Sequence, residues 1–195
     1  GVQSQSITVD RQMRRYAVPR IAFINKVDRA GANPDKVIAQ LEEKLHLKPV
    51  LLTMPIGIED SFEGIIDLIK MKAVYYLGSN GEIVEEREIP EHLLEEAQRR
   101  RTIMIERIAD FNDNIAEKYL AEEEISEDEI RSAIRQATLS LHLTPVFVGT
   151  AKQNKGVQTL LDGVCHYLPA PTDVKNFALD LDRNEEKVEL IADPK

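Results

Sequence analysis

Two short apolar runs, one near each end of the chain, have the pattern of strands buried on both faces. Residues 20–24 follow Pro19, and residues 144–148 run up to Gly149. Runs of this length without polar alternation are typical of strands in a parallel sheet. Each run is followed by a polar loop and an amphipathic segment, so the sequence predicts a strand–loop–helix unit at both ends.

Six segments have apolar residues at helical spacing. Asn33 before Pro34, and Ser126 three residues before Glu129, predict N-terminal caps. The predicted helices cover residues 3–17, 33–45, 90–111, 115–120 and 127–139, and a sixth begins at Gly156 with Val157, Leu160, Leu161 and Val164 in one stripe.

The middle of the chain begins with strand-like residues that form a predicted hairpin. Residues 49–54 and 65–77 are strand-like, and the Asn80-Gly81 pair predicts a hairpin whose return strand begins at Ile83. Beyond a proline-containing linker at 168–171, residues 178–191 alternate like a second hairpin. We therefore predict an α/β fold with a mostly parallel sheet, divided into residues 1–46 (sheet core), 47–143 (α+β insert), 144–171 (last core strand and helix) and 172–195 (linker and start of a further domain).

The chain is acidic only in that middle segment. Of 195 residues, 43% are apolar and 30% charged, as in folded globular proteins. Residues 81–135 hold 17 of the 34 acidic residues but 8 of the 25 basic ones, which accounts for the whole net charge of −9. Such a surface disfavours binding to a nucleic-acid backbone and suits a protein partner. No apolar run approaches the ~20 residues of a membrane helix, so we expect no membrane span.

The residues that commonly bind metals show no ligand pattern. The four histidines are widely separated, and Cys165 is the single cysteine. One cysteine excludes a multi-thiolate site, and its apolar neighbours predict that Cys165 is a small core residue. We expect no metal site within the chain.

The loop after the first strand has the chemistry needed to recognise guanine. It reads Asn25-Lys26-Val27-Asp28. The Asp28 carboxylate can accept hydrogen bonds from the ring N–H and exocyclic amine of guanine, a donor pair that adenine lacks. Asn25 can bridge the base edge and neighbouring backbone, and the Lys26 stem can cover the base plane. On its own, a tetrapeptide of this kind is also compatible with an ordinary polar loop.

A second polar loop follows the other buried strand. It reads Gly149-Thr150-Ala151-Lys152. Ligands bind outside the carboxyl ends of parallel strands, and both loops follow such strands. We therefore expect the backbone N–H groups of the second loop to lie beside the first loop. The first tetrapeptide resembles the Asn-Lys-x-Asp motif of GTPases, and Thr150-Ala151-Lys152 resembles their Ser-Ala-x motif. The surrounding sequence resembles elongation factor G at residues 1–6, 28–34, 55–57, 64–68 and 154–158.

This resemblance implies the later half of a P-loop-type GTPase domain that carries an inserted subdomain. It implies a translational GTPase that drives ribosomal translocation, with GTP or GDP bound through Asn25, Lys26, Asp28, Thr150, Ala151 and Lys152. It further implies that the acidic insert contacts stalk proteins of the large ribosomal subunit. The implied compartment is the cytoplasm, with the mitochondrial matrix as the alternative.

The phosphate-binding sequence of such a GTPase is not found in these residues. No Gly-x-x-x-x-Gly-Lys-Ser/Thr occurs, and the resemblance places the Mg²⁺-binding and catalytic residues before Gly1. We therefore predict no catalytic residue and no GTP hydrolysis by this chain alone. Two alternatives stay open: an interaction module that binds stalk protein without a nucleotide function, and a sister translational GTPase, such as a release or ribosome-protection factor.

Overall fold

The computed structural model describes residues 1–173, 175–183 and 185–190. The described helices are α1 (Ser4–Arg15), α2 (Pro34–Leu45), α3 (Glu91–Ala109), α4 (Asp113–Leu120), α5 (Glu127–Leu139) and α6 (Val157–Tyr167). The strands are β1 (Ala22–Ile24), β2 (Pro49–Leu51), β3 (Thr53–Ile56), β4 (Gly64–Asp67), β5 (Lys72–Leu77), β6 (Ile83–Arg87), β7 (Thr144–Val148), β8 (Asn176–Asp180) and β9 (Glu186–Leu190).

The two apolar runs form neighbouring strands of a parallel sheet, as predicted. β7 lies between β1 and β2, and both pairings are parallel. The α/β fold class is therefore confirmed. β2 lies within the range predicted for the insert, and yet it belongs to this sheet.

The insert is built on an antiparallel sheet in the order β3-β4-β5-β6. The predicted hairpin is confirmed, because β5 pairs with β6 from Ala73 with Arg87 to Leu77 with Ile83. Helices α3, α4 and α5 follow. Asn112 caps α4 through the amide of Ile115, and Ser126 and Glu129 form the predicted capping box of α5.

Each of the two strand-like stretches of the middle region contains two strands rather than one. In residues 49–54, buried Leu52 separates β2 from β3, and the two strands belong to different sheets. In residues 65–77, the Asp67 carboxylate accepts hydrogen bonds from the amides of Ile69 and Lys70, at 2.8 and 3.0 Å, and this Asx turn ends β4. At Leu52 the neighbouring residues are apolar or buried, so no polar residue marks that break, whereas Asp67 marks the second one.

Two buried apolar clusters join the parallel sheet to the insert. In the first, residues of the parallel sheet and α6 pack with residues of the insert sheet, α3 and α5. In the second, β1, β7 and α2 pack with β4 and β5. Representative members are Val50, Phe147, Tyr167, Ile66, Ile108 and Ile134 in the first cluster, and Ile24, Leu41, Val146, Ile65 and Tyr76 in the second.

Helix α6 contacts the sheet through a face that overlaps the predicted stripe only in part: Leu160 of that stripe packs against the first cluster. Gly163 and Tyr167 are its buried residues, whereas Leu161 and Val164 are 58% and 39% exposed. A Cβ on Gly163 would lie 2.3 Å from the Phe147 ring, so the helix approaches β7 through its smallest residue. The prediction that Cys165 is a core residue is wrong: Cys165 is exposed.

The end of the chain forms the predicted hairpin from β8 and β9. Of the predicted last segment, 172–195, the residues Val174, Asn184 and 191–195 lie outside the described part. None of the described helices combines the length and apolar character of a membrane span. The described residues also contain no group of three His, Cys, Asp or Glu side chains arranged to hold a metal ion.

Candidate nucleotide-base site

The two polar loops lie side by side because their strands are paired in register. Ile24 aligns with Val148, so the loops leave the same edge of the sheet. The Gly149 amide donates to the Ile24 carbonyl at 3.1 Å, and the Val27 amide donates to the Gly149 carbonyl at 3.2 Å. The fold thus brings the predicted site residues of both loops to the carboxyl ends of two adjacent strands.

Asn25 ties one loop to the other. Its Oδ1 accepts hydrogen bonds from the amide of Lys26 at 2.8 Å and from the amide of Ala151 at 3.0 Å. Lys26 itself has a φ of 66°, a left-handed conformation that costs a non-glycine residue about 1 kcal/mol. The two hydrogen bonds of Asn25 hold the backbones of both loops at a fixed separation. The Lys26 side chain is exposed at the surface of the first loop.

Asp28 has one satisfied and one unsatisfied carboxylate oxygen. Its Oδ2 accepts a hydrogen bond from Nε2 of Gln153 at 3.1 Å. Its Oδ1 is buried and has no hydrogen-bond partner among the described residues. A buried acceptor without a donor costs about 1–3 kcal/mol. The carboxylate therefore suits a ligand that brings N–H donors, and guanine brings two of them.

The second loop is held by its own backbone. Thr150 is 1% exposed, and its amide and carbonyl pair with the carbonyl and amide of Lys155, at 2.9 and 3.1 Å. A Cβ on Gly149 would lie 2.4 Å from the Lys155 carbonyl oxygen, so this position requires glycine. The following turn, Ala151–Gln153, exposes Lys152. Thr150 is therefore an anchor of the loop, while Ala151 and Lys152 form its outer surface.

Two residues have contacts at the site that the sequence did not predict. Gln153 donates to Asp28, and Glu59 contacts the first loop from a turn in the insert: its amide donates to the Val27 carbonyl at 2.8 Å. Neither residue is part of a motif with known chemistry. Their contacts join positions far apart in sequence, so no local pattern could have indicated them.

An open parallel sheet with two polar loops at the ends of neighbouring strands is characteristic of α/β domains that bind nucleotides. Comparison with known proteins gives the particular family. The chain belongs to the elongation factor Tu GTP binding domain family, which it matches over residues 1–170. Membership of this family implies guanine-nucleotide binding.

The chain is similar to elongation factor G sequences over nearly its whole length. It is 53% identical over 193 residues to elongation factor G 1 of Borreliella afzelii, and 54% identical over 193 residues to elongation factor G 2 of Anaeromyxobacter dehalogenans. These matches cover 99% of the chain but 28% of each relative. A solved protein from Thermus thermophilus matches with a TM-score of 0.78 and 26% identity, over 91% of this chain and 27% of that one.

Proposed function

We propose that the two loops select the guanine base of GTP and GDP. The observation that carries the proposal is the buried, unpartnered Oδ1 of Asp28 in the described structure. Guanine would donate its ring N–H and exocyclic amine to this carboxylate, while the stems of Lys26 and Lys152 flank the base plane. A backbone amide of the second loop would donate to the base oxygen O6, with Thr150 holding the loop and Asn25 setting its separation from the first.

We further propose that the chain is part of an elongation factor G that hydrolyses GTP to drive ribosomal translocation. The support is 53% identity to an elongation factor G over 99% of the chain. The alternative of a release or ribosome-protection factor is less well supported, because the matched relatives named above are elongation factors G. Those relatives are bacterial, which favours the cytoplasm over the mitochondrial matrix.

Binding of a fluorescent GDP analogue to the chain tests guanine selection. We expect weak binding, with a Kd on the order of a millimolar, equivalent to about −4 kcal/mol, because a base site without a phosphate cradle supplies few contacts. Unlabelled GDP should displace the probe, and ATP should not. Equal displacement by ATP would rule out guanine selection by these loops.

The same chain is expected not to hydrolyse GTP. Phosphoryl transfer depends on groups that position the phosphates and stabilise their charge, including Mg²⁺ in the intact factor. These 195 residues contain no P-loop sequence. Phosphate release from GTP by the purified chain should therefore stay at the buffer rate.

A second proposed role concerns the acidic insert, which we assign to docking on ribosomal stalk protein. The carrying observation is the exposed run Glu122, Glu123 and Glu124, next to the acidic first turn of α5. Carboxylates at a helix N-terminus are stabilised by the helix dipole, so this acidic surface is compatible with a stable fold.

Reversing the charge of these three glutamates tests that role. We expect the triple change to lysine to weaken binding of stalk protein about tenfold and to make it less sensitive to salt. The control changes three exposed carboxylates outside the insert to lysine, Glu43, Asp182 and Glu186, which alters the net charge equally. Equal losses in both variants would indicate a general charge effect instead of a docking surface.

A further inference from the structure

A turn of the insert contacts the first loop of the proposed base site and the residues that directly follow each loop. We call residues 57–62 the brace turn. Its Glu59 donates its amide to the Val27 carbonyl at 2.8 Å, and Oε1 of the Glu59 side chain accepts from the Gly31 amide at 2.6 Å. At the other end of the turn, Nζ of Lys155 donates to the Phe62 carbonyl at 3.3 Å. One short segment therefore contacts the first loop at Val27, the turn after it at Gly31, and the residues after the second loop at Lys155.

The two Glu59 contacts lie on either side of Asp28. Val27 precedes Asp28 directly, and Gly31 lies at the far end of the turn that follows, where the Arg29 amide donates to the Lys26 carbonyl at 3.1 Å and the Ala32 amide to the Arg29 carbonyl at 3.0 Å. Fixing both flanks limits the movement of the carboxylate between them.

The brace turn adopts an unfavourable backbone to make these contacts. Glu59 has a φ of 56°, in the left-handed region that side chains other than those of Gly, Asn and Asp seldom occupy. Gly57 has a φ of 71°, and a Cβ there would lie 2.0 Å from the Ser61 carbonyl oxygen. The Ser61 hydroxyl closes the turn by donating to the Ile58 carbonyl at 2.7 Å. Such strain persists only where surrounding contacts require the geometry.

We propose that Glu59 is a positioning residue for guanine selection, acting from the insert through Val27 and Gly31 on the Asp28 carboxylate. This inference rests on the proposed base site. Glu59 touches no ligand atom itself; its carboxylate and amide determine where Asp28 lies.

The test compares three variants of the chain. Glu59→Gly removes the carboxylate and suits the positive φ, so folding is preserved. Glu59→Gln keeps an oxygen that can accept from Gly31. Asp60→Asn removes a negative charge from the same turn at an exposed position and serves as the control.

Two readouts separate a positioning role from a structural one. The first is solvent exchange of the Gly31 amide, followed by NMR. The second is the ratio of the Kd for IMP to that for GMP, from NMR titration; IMP lacks the exocyclic amine and so loses one donor to Asp28. Because one hydrogen bond to a charged group is worth about tenfold in affinity, we expect a wild-type ratio of about ten.

We expect Glu59→Gly to accelerate Gly31 exchange several-fold and to bring the ratio of Kd values close to one. Glu59→Gln and Asp60→Asn should retain the wild-type behaviour in both measurements. If Glu59→Gly keeps the wild-type exchange rate or the wild-type ratio, the positioning role is excluded. If the wild-type chain itself binds GMP and IMP equally, the proposed base site fails, and the inference fails with it.

Discussion

Replacement Asp28→Asn is expected to lower the affinity of the full-length factor for GDP by at least ~100-fold, since two hydrogen bonds to a charged group are worth about 3–6 kcal/mol. The Oδ1 atom of Asp28 is buried and lacks a partner among the described residues, so guanine is the donor it is suited to accept. An asparagine presents an N–H₂ group in its place, which opposes the guanine donors and suits the O2 oxygen of xanthine.

The measurement is displacement of a fluorescent GDP analogue from wild-type and variant protein by GDP, ATP and xanthosine diphosphate. The variant should prefer xanthosine diphosphate, while ATP should compete poorly against both proteins. Asp60→Asn makes the same chemical change at an exposed position and should leave GDP affinity within about twofold. An Asp28→Asn protein that still prefers GDP would show that another group reads the base.

Replacement Ile66→Ala is expected to reduce the free energy of unfolding by about 2–5 kcal/mol, the usual cost of truncating a fully buried isoleucine. Ile66 is 0% exposed and belongs to the cluster that joins the insert to β2, β7 and α6. The cluster crosses between the two sheets. Loss of the Ile66 side chain should therefore lower the midpoint of a single unfolding transition that includes both sheets, and neither sheet should stay folded alone.

Urea unfolding, followed by circular dichroism and by NMR signals from both sheets, checks this prediction. Ile83→Ala is the control in the same antiparallel sheet, because Ile83 is 56% exposed and its truncation should cost less than ~0.5 kcal/mol. Two separate transitions in the Ile66→Ala protein, one for each sheet, would contradict the shared core.

The parts of the fold that were predictable have a local cause. The buried runs that became β1 and β7 are short, continuous and bounded by proline or glycine, and Ser126 with Glu129 forms a cap within four residues. The break at Leu52 was not predictable, since it separates two strands that are buried in different sheets. The exposure of Cys165 depends on the close approach of Gly163 to Phe147, and only the packed structure contains that contact.

The residues of the site also fall into two groups, those with a local sequence signal and those whose role depends on the folded structure. Asn25, Asp28 and the second loop follow strands, and polar residues at the carboxyl ends of parallel strands are a general indication of a ligand site. The roles of Gln153 and Glu59 arise from chain segments that meet only after folding. Their side chains support the loops, and a supporting role leaves no spacing or composition that sequence reasoning can detect.

The passage from one sheet to the next through Leu52 leaves no length of chain in which a hinge could form. Thr53 Oγ1 also accepts from the Val148 amide at 3.0 Å, which fastens the first residue of the antiparallel sheet to the end of β7. Hinge motions need a few residues free to change their backbone angles. A spectroscopic label placed on the insert would therefore report the orientation of the parallel sheet itself.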